Sequence, residues 1–414
     1  MTIRYPIECT TCQQGITLRI SLGTQKKQNI AISCPQCKQK ISLLLTTDKS
    51  SENYQPNIEI QENGRCSIEN KDFKILNLHT ELIYPKHMIN ESIMLPQGMI
   101  NIELYEYAQN KGIVGSLKKA KKSSNPFGFN MRSLFDELGG DSYLLEDWEC
   151  IYKAYSLYEN EMFELMEKEL QNYSKIHTVY NNGSLIYSIV FDFLLRFIAP
   201  NTILYNEIKN ILNKAKNKKS KFQKFRIYYK DELFNLHWKN YIDIFNEYFK
   251  NFSEFNRLLL NTKIELYPEE SEYIFCPVNF DEVKMFYGNA YEYITTHITI
   301  FACINNIINN RNFDTFERMN LIKYNKLNKE SKSGPLQSNE IFKKFTENLE
   351  SSWRNASHHK WFYIDKNNPG WLLYRSGGTG ALNKISYINY IYKSNQLMMN
   401  IALMAMIEIK FLIK

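Results

Sequence analysis

Two cysteine pairs near the N-terminus constrain this chain more than any other sequence feature. Cys9 and Cys12 form the first CxxC pair, Cys34 and Cys37 form the second, and residues 13–33 separate them. Two pairs at this spacing are typical of four thiolates that bind one tetrahedral zinc ion, each at about 2.3 Å. The chain begins with no apolar stretch of signal-peptide length, so we expect metal-bound thiolates and not disulfides.

Short segments rich in β-branched residues surround these cysteines, notably residues 15–21 and 28–33. Together with the CxxC turns they resemble a zinc ribbon, which predicts a small β domain over residues 1–48. Four thiolates leave no open coordination position, so this zinc is expected to stabilise the fold and not to catalyse a reaction. The sequence leaves open whether the ribbon contacts nucleic acid, another protein or the rest of the chain.

The composition is that of a folded globular protein, because 44% of the residues are hydrophobic and 23% are charged. The formal net charge of +7 permits a nucleic-acid partner but does not require one. The most apolar C-terminal stretch, residues 394–407, is followed by Glu408 and is too short to cross a bilayer. We expect a cytoplasmic protein with no membrane span.

Beyond the ribbon, the hydrophobic pattern becomes mainly helical. Residues 49–278 read as a mixed segment followed by long helical patterns, which predict a mainly helical middle region. Residues 279–414 predict four helices with a β-hairpin between the third and the fourth. The predicted helices cover residues 279–310, 313–328, 339–360 and 386–411. The fold class is therefore predicted to be mainly α.

A polar cluster lies at the end of the third predicted helix of this C-terminal region. It contains Arg354, Asn355, His358 and His359. Arg354 with His358, and Asn355 with His359, are spaced i, i+4, so each pair shares a helix face. A guanidinium can bind phosphate and offset developing negative charge, while an imidazole can transfer protons near neutral pH. These residue types suit phosphodiester cleavage.

The same residues resemble the signature of the HEPN ribonuclease superfamily, in which an arginine precedes a histidine by four to six intervening residues and is commonly followed by asparagine. Arg354-Asn355-x3-His359 matches that form, and the resemblance covers residues 279–414. It implies a four-helix bundle with a hairpin insertion, in which Arg354 binds the scissile phosphate, His359 acts in acid/base catalysis and Asn355 supports both. His358 is the alternative histidine.

The resemblance further implies an activity and partners. It implies metal-independent RNA cleavage by attack of the ribose 2′-hydroxyl, which leaves a 2′,3′-cyclic phosphate, in a cleft shared by the two chains of a homodimer. Proteins of this superfamily often act as toxins or as abortive-infection effectors against phage. Residues 49–278 would then be a sensor or regulatory domain, through which a regulatory protein or a nucleic-acid trigger acts.

Two other functions compete with this interpretation. In the first, the chain is a non-catalytic regulatory protein that binds nucleic acid or protein, and the cluster only completes a solvated helix end. In the second, it is a DNA-binding factor, although no recognition-helix motif supports this. The sequence contains no P-loop, Rossmann glycine pattern or nucleophile elbow. Five further histidines are interpreted as surface or core residues and not as ligands: His79, His87, His177, His237 and His297.

Overall fold

The architecture was determined from a computed structural model. It describes residues 2–23, 25–47, 56–83, 89, 97–115, 137–140, 143–177, 184–267, 275–375, 377 and 380–413. Within these ranges the chain is mainly α-helical with small β-sheets, which confirms the predicted class. His87 lies outside the described residues.

The strands are β1 (Thr2–Cys9), β2 (Gly15–Ser21), β3 (Lys27–Ser33), β4 (Lys40–Thr46), β5 (Asn57–Glu62), β6 (Gly64–Cys66), β7 (Lys74–His79), β8 (Tyr363–Ile364), β9 (Trp371–Arg375) and β10 (Leu382–Ser386). They form three sheets with the orders β6-β1-β2-β7, β3-β4-β5 and β10-β9-β8. All pairs are antiparallel except β2 with β7, which run parallel.

The α-helices are Gln97–Asn110, Leu144–Glu159, Phe163–Ile176, Leu185–Ile198, Ile203–Lys216, Lys219–Tyr228, Phe234–Lys250, Phe252–Lys263, Phe280–Val283, Phe286–His297, Thr299–Ile308, Leu321–Asn325, Glu340–Lys343, Ser351–His358 and Tyr387–Ile407. A π-helical turn joins two of them at Tyr229–Leu233, another follows the last at Glu408–Ile413, and a 3-10 turn covers Ser331–Leu336.

The chain divides into two compact units. The first contains Met1–Ser142, Asn251–Tyr287 and Asn355–Asn395, and the second contains Tyr143–Lys250, Gly288–Arg354 and Gln396–Lys414. Each unit is therefore assembled from three separate parts of the chain. The predicted functional ranges 1–48, 49–278 and 279–414 follow other boundaries and stay predictions.

The first unit has a core to which both N-terminal sheets contribute. Strand β2 lies between β1 and β7 and is buried along its whole length. Its Ile16 and Leu18 belong to the same apolar cluster as Ile32 of β3 and Leu43 of β4. Leu104 and Leu260 join this cluster from two helices. The cysteine-bearing strands thus share their core with helices from distant parts of the chain.

The second unit is built around packed aromatic rings. Trp148 stacks on Phe249 with ring centroids 5.5 Å apart, and Phe193 contacts both of these rings and Phe245. Aromatic residues recur at helical spacing on the helices Leu144–Glu159, Leu185–Ile198 and Phe234–Lys250. Each of these helices therefore packs an aromatic face against the other two.

Three of the four predicted C-terminal helices are wrong in length. The segment 279–310 contains three shorter helices, 313–328 retains only Leu321–Asn325, and 339–360 contains Glu340–Lys343 and Ser351–His358. Asparagines account for several of the ends. Asn310 has a left-handed φ of 62° after one helix, and the side chains of Asn320 and Asn339 cap the starts of two others.

The other two C-terminal predictions are confirmed. The expected hairpin pairs Ile364 with Leu372 in antiparallel register, and β10 adds a third strand. The expected last helix covers Tyr387–Ile407.

Replacement of Phe193, which is fully buried, should show how strongly the second unit depends on its aromatic core. Phe193→Ala is expected to lower the free energy of unfolding by about 3–5 kcal/mol, because it leaves a cavity among four aromatic neighbours. Phe163→Ala removes a helical phenylalanine that is 51% exposed and should cost less than about 1 kcal/mol. Urea unfolding measures both; equal losses would contradict this account of the core.

Candidate functional site

The two CxxC turns have the same backbone geometry. In the first, the amide of Gln13 donates to the carbonyl of Cys9 at 2.9 Å; in the second, the amide of Lys38 donates to that of Cys34 at 3.0 Å. Gln13 and Lys38 have left-handed φ angles of 61° and 63°. Such a conformation closes a tight turn, and each turn brings its two thiols to one side.

The four sulfur atoms lie at separations that suit a tetrahedral metal. Sγ of Cys9 is 3.7 Å from Sγ of Cys37, and Sγ of Cys12 is 3.6 Å from Sγ of Cys34. Four sulfurs at about 2.3 Å from one zinc ion lie about 3.8 Å apart, whereas disulfide sulfurs lie about 2.05 Å apart. All four ligand atoms lie within 4.8 Å of one another. The cluster therefore fits zinc and excludes disulfides among these residues.

Asn63 connects both sides of this cysteine cluster. Its carbonyl accepts from the amide of Thr10 at 3.1 Å, and its side-chain Nδ2 donates to the carbonyl of Lys40 at 2.9 Å. Its left-handed φ of 54° places it in the turn between β5 and β6. Sequence reasoning missed Asn63, because neither its type nor its spacing marks it as a partner of the CxxC turns.

The motif helix Ser351–His358 ends in a defined cap. The amide of Trp361 donates to the carbonyl of Ala356 at 2.8 Å, and the amide of Lys360 donates to that of Ser357 at 3.2 Å. Lys360 has a left-handed φ of 57°, which completes the hydrogen-bond pattern of a Schellman motif. His359 is consequently the C-cap residue. It is exposed to solvent.

Arg354 forms an ion pair that the sequence did not predict. Its Nε and Nη2 lie 2.6 Å and 2.5 Å from Oε1 of Glu292, and Nζ of Lys329 lies 3.1 Å from Oε2 of the same carboxylate. Burial alone would raise the pKa of the Glu292 carboxyl, but the hydrogen bonds from Arg354 and Lys329 outweigh it and lower that pKa. Glu292 is therefore ionised at neutral pH and holds the guanidinium in one orientation. Arg354 remains 33% exposed.

The predicted catalytic side chains have different surroundings. The ring of His359 stacks on Trp361, with centroids 4.6 Å apart and planes at 27°. Asn355 and His358 are half-buried, and the carbonyl of Asn355 accepts the amide of His359 at 3.0 Å. Arg354 belongs to the second compact unit, and Asn355, His358 and His359 belong to the first.

The remaining described histidines divide into two groups. His79 accepts from the amide of Glu81, and burial lowers its pKa to about 3; Nε2 of His177 lies 2.9 Å from Asp147. These two fit their predicted structural roles. His237 and His297, in contrast, lie beside each other, although 59 residues separate them in sequence (residues 238–296). No local pattern could have predicted this contact.

Comparisons with protein-family models, with curated proteins and with solved structures find no match for this chain. Among the described helices, none combines the length and the apolar character needed to cross a bilayer.

Loss of one cysteine ligand should remove one zinc ion. We expect Cys34→Ser to lose one equivalent of zinc relative to the wild-type chain and to unfold at lower temperature, because Cys34 is buried and one thiolate is missing. Cys66→Ser is the matched control, since Cys66 is exposed and lies outside the cluster. Elemental analysis after gel filtration measures both. Unchanged zinc in Cys34→Ser would contradict the assignment.

Proposed function

We propose that this chain is a metal-independent endoribonuclease of the HEPN type. The observation that carries the proposal is the Arg354-Asn355-x3-His359 motif, whose histidine is exposed at the C-cap of its helix. A three-stranded sheet and the long helix Tyr387–Ile407 follow it, in agreement with the expected order of motif helix, hairpin and final helix. The proposed fold of residues 279–414 is accordingly a HEPN-like bundle with a hairpin insertion.

The chemistry assigned to each residue follows from its functional group. The Arg354 guanidinium binds the scissile phosphate and offsets the charge that develops there. The His359 imidazole, which solvent reaches, takes the proton from the attacking 2′-hydroxyl or gives one to the leaving oxygen. The amide of Asn355 supports these groups. None of these roles requires a metal ion, and the cysteine-bound zinc remains structural.

The proposed biological setting is RNA cleavage by a toxin or antiphage effector in the cytoplasm. Two copies of the chain would form the cleft, since one motif supplies few catalytic groups and a two-fold axis doubles them. A regulatory protein or nucleic acid that acts on residues 49–278 would restrain or release the cleavage.

Cleavage of RNA by purified variants tests the proposal directly. We expect the wild-type chain to produce 2′,3′-cyclic phosphate ends in the presence of EDTA, and Arg354→Ala and His359→Ala to lower the rate at least 100-fold, as is usual for loss of a charge-stabilising or proton-transfer group. Arg311→Ala is the matched control, because Arg311 also pairs with a glutamate, Glu317. His358→Ala distinguishes the two histidines. Zinc content measured after the assay shows that EDTA left the fold intact.

Equal cleavage by wild-type, Arg354→Ala and His359→Ala protein would end the assignment of Arg354 and His359 as catalytic residues. The second candidate function is a non-catalytic nucleic-acid- or protein-binding regulator. The specific observation in its favour is the ion pair of Arg354 with Glu292 and Lys329, which suits a structural cluster as well as an anion site. In that case Arg354→Ala should lower the unfolding temperature without changing any RNA signal.

Removal of the carboxylate that neutralises Arg354 should strengthen RNA binding. We expect Glu292→Gln, made together with His359→Ala to prevent cleavage, to bind single-stranded RNA several-fold more tightly than His359→Ala alone. The salt dependence of log K should steepen by about 0.7 for one added phosphate contact. Fluorescence anisotropy from 50 to 300 mM salt measures both quantities. Identical affinities and slopes would show that Arg354 does not contact RNA phosphate.

A further inference from the structure

A second group of ligand-type side chains lies inside the second compact unit. His237 is on helix Phe234–Lys250, His297 ends helix Phe286–His297, and Glu408 follows the last helix. Their side chains are 2%, 1% and 2% exposed. We call these three residues the His-His-Glu cluster. They come from three distant parts of the sequence and meet in the core of one unit.

The ligand atoms of the cluster lie close enough to surround one ion. Nδ1 of His237 is 3.2 Å from Oε2 and 3.3 Å from Oε1 of Glu408, and Nδ1 of His297 is 3.6 Å from Oε1. All three residues place a ligand atom within 4.8 Å of the others. Nitrogen and oxygen ligands at about 2.0–2.2 Å from a tetrahedral zinc ion lie about 3.4 Å apart. The observed separations bracket that value.

Nδ1 of His297 is a buried polar atom without a hydrogen-bond partner among the described residues. Such an atom destabilises the folded unit, because it has lost its hydrogen bond to water and has formed no other. It is directed at the Glu408 carboxylate from beyond hydrogen-bond distance. An ion between these groups would supply the missing partner.

The charge states of the cluster suit metal binding. Burial lowers the pKa of His297 to about 4, so its ring is neutral at pH 7 and offers a lone pair. Burial would raise the pKa of the Glu408 carboxyl, but the adjacent His237 and its hydrogen bond to the carboxylate hold that pKa well below its usual range. A neutral imidazole beside an ionised carboxylate is the form in which both residues bind divalent metals.

Tyrosines fix the orientation of the carboxylate. The hydroxyl of Tyr229 donates to Oε2 of Glu408 at 2.6 Å, and that of Tyr241 donates to Oε1 at 2.5 Å. On the far side of His297, the amide of Asn240 lies 3.4 Å from Nε2. Hydrogen bonds of this kind orient the ligands of protein metal sites and tune their affinity.

We propose that His237, His297 and Glu408 form a second, buried metal site, and that its two nitrogen ligands and one carboxylate take a divalent transition metal, with zinc the best match. The imidazole rings are stacked, with planes 23° apart and centroids 3.8 Å apart, so each ring must rotate out of the stack before both nitrogens can point at one ion. Oε1 and Oε2 of Glu408 lie 3.3 Å and 3.2 Å from Nδ1 of His237, so either oxygen can act as the third ligand. The ion joins three chain segments and is incorporated as the unit folds.

The metal content of the full-length chain, with any affinity tag removed, tests this proposal. We expect two divalent ions per wild-type chain, one ion in Cys34→Ser, one in His297→Gln and none when both changes are combined. His177→Gln is the matched control, because His177 lies in the same unit and also faces a carboxylate, Asp147, but is not part of the cluster, and it should retain two. Elemental analysis for manganese, iron, cobalt, nickel, copper and zinc identifies the ions.

One ion per wild-type chain, lost completely in Cys34→Ser, would overturn the proposal and leave the cluster a hydrogen-bonded network without metal. This outcome depends only on the wild-type chain and Cys34→Ser, so it decides the question even if His297→Gln does not fold. Cobalt exchange gives a second readout on the wild-type chain. Thiolate charge-transfer bands alone would count against the site, whereas added d–d bands that survive in Cys34→Ser would support it.

Discussion

The arrangement of four thiolates around one point is the constraint on which the N-terminal fold depends. Cys9 ends β1 and Cys34 follows β3, so the two CxxC turns belong to different sheets. A metal ion bound by these cysteines would join the two sheets by bonds that do not depend on apolar area, which matters because short strands bury little apolar surface. Leu104 and Leu260 then extend the core beyond the sheets. The resemblance to a ribbon therefore describes the turns well, whereas the apolar packing extends into helices far away in sequence.

Local patterns were enough to predict those parts of the molecule whose determinants lie within a few residues. The CxxC turns, the hairpin of Ile364 with Leu372 and the helix Tyr387–Ile407 are of this kind. The long predicted helices failed because the capping of a helix end competes with apolar periodicity. Asn320 lies inside the predicted helix 313–328, and its side chain caps a helix that begins only at Leu321, whereas Asn310 and Asn339 lie at predicted helix ends.

The candidate sites show the same division between local and distant information. The motif residues Arg354 and His359 could be singled out from sequence because they lie five positions apart. Glu292 could not be singled out, because it lies 62 residues before Arg354 and nothing in the surrounding sequence indicates that the two side chains pair. His237 and His297 were each interpreted as surface or core residues and not as ligands. Both histidines lie beside the Glu408 carboxylate because two helices and the last turn pack together in the folded chain.

The ion pair of Arg354 is compatible with a phosphate-binding role on energetic grounds. A partly exposed pair such as Arg354–Glu292, with side chains 33% and 26% exposed, contributes about 0–1 kcal/mol. An RNA strand brings several phosphates at once, so its other contacts with the chain support the one at Arg354. A phosphodiester can therefore compete with Glu292 for the guanidinium, or share it, without unfolding the unit. In the proposed mechanism Lys329 stays beside the carboxylate of Glu292 and offsets its charge when Arg354 turns toward RNA.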